Sequence, residues 1–124
     1  IKFGVRICFE VRFPEYFREL YREKADMIFV MFNDISETDD IARYELIKAH
    51  LRTRAVENVC AVMSVSDASR YQTAPTAVID DTGRVLQELP RSTEGLLLFD
   101  YKTVEPSYGA RGRRALSDKL TKQP

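Results

Sequence analysis

Six consecutive apolar residues, Met27 to Phe32, constrain the fold of this chain more than any other feature. A run that short and that apolar reads as a strand covered on both faces, as in a parallel sheet flanked by helices. The residues before it agree. Lys2 to Cys8 reads as a strand, and from Pro14 onward Phe17, Leu20, Tyr21 and Lys24 recur at spacings of three and four, one face of a helix over 14–24. Pro14 at the first helical position, with Glu15 behind it, fits a helix start. Strand, helix and strand in this order form a right-handed crossover. Cys8 and Asn33 therefore emerge on one edge of the sheet, where neighbouring strand ends line one pocket.

Further along, Asp39 or Asp40 is placed to cap a second helix, with Ile41, Tyr44, Ile47, Leu51 and Ala55 on one face. It ends near Asn58, a residue that tolerates left-handed geometry. Val59 to Val65 forms the next strand, and Ser66 to Ala74 is a polar loop beyond its carboxyl end. Asp80-Asp81-Thr82-Gly83 lies between Thr76–Ile79 and Arg84–Leu89, which reads as an antiparallel hairpin. Leu96 to Tyr101 supplies another strand. After Pro106 comes a short helix or tail ending at Pro124.

Charge and cysteine usage narrow the partners. Nineteen basic and nineteen acidic residues cancel, so no overall field favours nucleic acid or a membrane surface, and small molecules are the default partner. The cluster Arg111, Arg113 and Arg114 alone is thin ground for a nucleic-acid site. Cys8 and Cys60 lack the spacing of a disulfide framework or a zinc site, and with His50 as the single histidine no metal is expected. The pattern suits a reduced, cytoplasmic setting.

The chemistry concentrates at Cys8. A thiol at a strand's carboxyl end faces the crevice of an α/β sheet, and the N–H groups opening the helix at Pro14, together with the Arg12 guanidinium, favour the attacking thiolate. A lone cysteine in a strand is more often inert core. The flanking residues reverse that weighting. Ile7-Cys8-Phe9-Glu10-Val11-Arg12-Phe13-Pro14-Glu15 resembles the nucleophile motif of the nitrilase superfamily of carbon–nitrogen hydrolases, I-C-[YF]-[DE]-x-R-F-P-E. Arg54-Ala55-Val56-Glu57-Asn58 matches that family's R-A-x-E-N segment, and Thr76 to Gly83 resembles its following strand and turn.

The resemblance implies an α/β chain, the carboxyl-terminal half of an α-β-β-α sandwich over residues 1–124, with a mixed sheet and helices on one face. It implies no cofactor, and a small amide, nitrile or carbamoyl substrate attacked by Cys8 to give a thioester. In the family a glutamate moves the proton and a lysine stabilises the oxyanion, both upstream of the cysteine. Only seven residues precede Cys8 here, and Lys2 does not match the family lysine. We therefore expect a portion of a longer protein, inactive by itself. Half a sandwich leaves apolar sheet uncovered, which points to a homo-oligomer.

The backbone N–H of Phe9 is the candidate oxyanion donor. Arg12 either holds the turn by pairing with a carboxylate or meets an anionic substrate group. Asn33 either contacts substrate or caps a loop. Glu10 reads as a structural hydrogen-bonding group, Arg54 and Glu57 as an i, i+3 pair, His50 as a half-exposed histidine and Cys60 as core. Two alternatives stand beside the hydrolase: a non-catalytic α/β binding module in which Cys8 is idle, and an apolipoprotein N-acyltransferase-like domain, a branch that Phe32-Asn33-Asp34 resembles.

Overall fold

The computed structural model describes residues 1–103 and 105–122. Along the chain run β1 (Phe3–Ile7), a 3₁₀ turn (Cys8–Arg12), α1 (Pro14–Arg22), β2 (Met27–Phe32), α2 (Ile41–Asn58), β3 (Ala61–Ser66), β4 (Ala77–Ile79), β5 (Val85–Glu88) and α3 (Tyr108–Leu120). The five strands lie in sequence order in one sheet. β1, β2 and β3 are parallel, while β4 and β5 return antiparallel, which makes the sheet mixed as expected. The end of the tail, at Pro124, falls outside the described residues.

Two crossovers of one hand, stepping the same way across the sheet, put α1 and α2 on the same face. Against that face Phe17 and Leu51 pack onto Ile28, Val30, Val62 and Ile79, all buried. α2 starts where Asp40 accepts the Arg43 N–H at 3.0 Å, a side-chain cap for an otherwise orphan donor. α3 starts likewise on Ser107, which accepts from Ala110 at 3.2 Å. Its Ser117 and Asp118 bind Arg18 and Tyr21 of α1.

The opposite face corrects the first reading of Met27 to Phe32. Strand side chains alternate, so Ile28, Val30 and Phe32 meet the helices while Met27, Phe29 and Met31 look the other way. There the register aligns Phe3 with Met27, and Ile7 with Met31 and Val65, and Met31 is 46% exposed. From beyond the sheet, Leu97 and Tyr101 pack on Met27, Met63 and Val78 among the described residues. Leu96 to Tyr101 is therefore not a strand: the segment joins no ladder and contributes side chains to a sheet face.

Two helix ends also differ from expectation. α1 stops at Arg22, and Lys24, read as helical, turns left-handed at φ 59° and is exposed. At the end of α2 the left-handed residue is Val59 (φ 48°), not Asn58. Asn58 is drawn back into the helix, its side-chain amide donating to the Arg54 carbonyl at 2.8 Å.

Candidate active site

Parallel register brings the carboxyl ends of three strands level, with Ile7 opposite Met31 and Phe32 opposite Ser66. Cys8 is the next residue after β1, and its φ is +46°. A non-glycine residue in that region holds about 1–3 kcal/mol of backbone strain, which the surroundings must offset. Here the chain leaves the strand direction and enters the 3₁₀ turn that leads to Pro14. Cys8 is a free thiol, half-buried, packed against the main core yet reachable.

Three bonds hold that turn. The Glu10 carboxylate accepts the Ile7 N–H at 2.8 Å, and the Glu10 carbonyl accepts the Phe13 N–H at 3.0 Å. From α2, Arg54 donates its Nε–H to the carbonyl of Val11 at 2.9 Å. Arg54 is 5% exposed, pairs with Glu57 at 2.8 Å and lies over the Phe17 ring. The i, i+3 pair read from sequence is present, but the reach across to the turn was not foreseen. Glu10 is engaged structurally, as read.

The remaining candidates fall as follows. Phe9 sits in the first positions of the turn, where 3₁₀ bonding supplies its N–H with no acceptor, and its side chain is 65% exposed. Arg12 is half-buried and makes no ion pair among the described residues, so the turn is held by Arg54 and Glu10 instead. Asn33 is exposed just past β2. His50 is half-buried, and its pKa is pushed below the usual histidine range by burial, then by the Arg54 and Arg12 charges. Cys60 lies in the core, where burial pushes its thiol up to about 12. Lys2 donates to the Glu23 carbonyl at 2.9 Å. Arg111 and Arg113 donate to carbonyls of Pro106, Val56 and Asp81.

Sequence reasoning named Asp34 only within the Phe32-Asn33-Asp34 resemblance and gave it no structural role. Its carboxylate accepts from Arg43 at 2.7 and 3.1 Å and from the Thr73 hydroxyl at 2.6 Å, while its carbonyl accepts the Thr73 N–H at 2.9 Å. With Ile35 pairing to Gln72, this fastens the loop after β2 to the loop after β3. An aspartate two residues past an apolar strand was the available signal. Beside these loops a cavity of about 410 Å³ is lined by Ser66, Asp67, Gln72, Thr76, Leu89 and Thr93. Cys8 is not among its lining residues.

The sequence pattern of carbon-nitrogen hydrolases matches residues 1–105. This chain belongs to the carbon-nitrogen hydrolase family. It is 32% identical over 90 residues to the deaminated glutathione amidase of Synechocystis sp., covering 68% of this chain and 32% of that one. To the 2-oxoglutaramate amidase of Bacillus subtilis it is 32% identical over 101 residues, covering 78% and 37%. Among solved structures it is similar to Saccharomyces cerevisiae Nit3, a nitrilase-superfamily member, with a TM-score of 0.57, 30% identity and coverage of 74% and 34%. The nitrilase-superfamily resemblance and the mixed α/β architecture expected from the motifs hold for this member of the carbon-nitrogen hydrolase family. It spans about a third of the length of the curated relatives it matches. Among the described residues no helix is long and apolar enough to cross a membrane, and no group of three or more His, Cys, Asp or Glu could hold a metal.

Proposed function

We propose that this chain supplies the nucleophile of an amidase-type carbon–nitrogen hydrolysis, with Cys8 attacking the carbonyl carbon of a small amide. The sulfur–carbon bond forms as the carbon–nitrogen bond breaks, the leaving nitrogen takes a proton and departs as amine or ammonia, and water then cleaves the thioester and restores the thiol. The observation that carries this reading is the conformation of Cys8: a free, half-buried thiol held left-handed just past a strand's carboxyl end. The Phe9 N–H, without an acceptor inside the turn, is the oxyanion donor in this scheme. Arg12 and Asn33 are the substrate contacts, Arg12 for an anionic substituent.

The general base and the oxyanion-binding lysine come, in this reading, from residues other than those of this chain. Removing one oxyanion donor costs about 10²–10³ in rate, so a chain without base and lysine retains almost no turnover. A reduced, cytoplasmic setting suits two free thiols. The test is amide hydrolysis measured on this polypeptide and on a form extended to the length of its relatives. The extended form is expected to turn over and its Cys8→Ala variant to be inactive. Turnover by the 124-residue chain that Cys8→Ala abolishes contradicts the incompleteness, and turnover by the extended form that survives Cys8→Ala contradicts the nucleophile.

A further inference from the structure

Arg54 is the only charged residue that is buried among the described ones. A guanidinium in that position is costly unless every donor finds work. Pairing with Glu57 does not require burial, since an i, i+3 pair forms equally well on a helix surface. What burial achieves is delivery of Nε–H to the Val11 carbonyl, 43 residues away in sequence. Val11 lies near the end of the five-residue turn that begins at Cys8, where a 3₁₀ segment leaves its last carbonyls without internal donors. The Val11 side chain, 1% exposed, is wedged in the same core.

We infer that Arg54 is a positioning residue for Cys8: its bond to the Val11 carbonyl ties the turn to α2 and keeps the cysteine left-handed at the sheet edge. The far end of the turn is anchored by α2, the near end by the Glu10 bond to Ile7, and the strained residue lies between. Without the α2 anchor the Val11 carbonyl loses its donor, the turn frays and the N–H groups aligned at its start lose their orientation. This rests on the reading of Cys8 as nucleophile.

Arg54→Met fills the volume and removes the donor, Arg54→Lys keeps a donor for Val11, and Arg54→Gln replaces Arg54→Met if the latter does not fold. Arg18→Ala and Ser117→Ala are the controls. Arg18 donates to the Glu57 carbonyl at 2.9 Å and to Ser117 at 3.1 Å, within the same network but away from the turn. Two rates are read on the 124-residue chain: amide exchange at Phe13 relative to Val62 in the core, and iodoacetamide alkylation of Cys8. In Arg54→Met the Phe13 amide should exchange about tenfold faster relative to Val62. Cys8 alkylation at neutral pH should change about fivefold as the turn that presents the thiol loosens. Arg54→Lys should stay within about threefold of the parent because a donor remains. The controls should lower global stability and leave both readings unchanged. An unchanged Phe13-to-Val62 ratio in Arg54→Met, or a ratio that the controls reproduce, overturns the inference while leaving Cys8 as nucleophile. Failure of Cys8 to label in preference to Cys60 in the parent chain removes both.

Discussion

The two cysteines show how position decides the chemistry of one residue type. Cys8 is half-exposed at a left-handed bend, and Cys60 is packed in the core with its thiol pushed up to about 12 by burial. Because the folded value lies above the ordinary 9.0, Cys60 adds stability that is fully present below pH 9 and lost as the pH climbs toward 12. Urea melts of the parent and Cys60→Ala should therefore differ most below pH 9, with the gap narrowing on the way to pH 12. A constant gap contradicts a thiol kept protonated by burial. His50 works in the opposite sense. Its folded value lies below the ordinary 6.5, so its contribution is present above that pH and fades as acid is added, and His50→Gln should flatten the acid side of the stability curve.

Individual elements are held by short-range devices whose removal has a predictable cost. Asp40→Ala takes away the cap of α2 and should cost about 1 kcal/mol in a denaturant melt. Gly83 closes the β4–β5 hairpin at φ +82°, and a Cβ there meets Val56 Cγ2 at 2.7 Å. Gly83→Ala should cost more than about 1 kcal/mol, since alanine resists that conformation and the contact must also relax. At this scale legibility follows the range of the signal. The span of β2 and the start of α2 were readable because an apolar run and a capping aspartate act within a few residues. Leu96 to Tyr101 was misread because a local apolar pattern cannot distinguish pairing at a sheet edge from packing on a sheet face. The place of Cys8 at a strand's carboxyl end was legible, whereas the Arg54–Val11 and Asp34–Thr73 bonds were not, because each joins residues 39 or more positions apart.

For the molecule as a whole the dominant fact is one finished face and one open face. Phe3, Ile7, Met31 and Val65 are 60%, 58%, 46% and 48% exposed on the side without helices, a contiguous apolar surface of the kind that drives association. The chain on its own should self-associate through that face, and Met31→Lys or Val65→Lys should shift it toward monomer in sedimentation velocity. Identical sedimentation of parent and variants would locate the association elsewhere. All of the functional reading depends on a thiol offered to solutes at the lip of this sheet. Brief treatment of the native chain with substoichiometric iodoacetamide near neutral pH, followed by peptide mass spectrometry, tests that directly. The account predicts carbamidomethyl adducts on the Cys8 peptide and almost none on the Cys60 peptide; equal labelling of the two, or no labelling at Cys8, contradicts it.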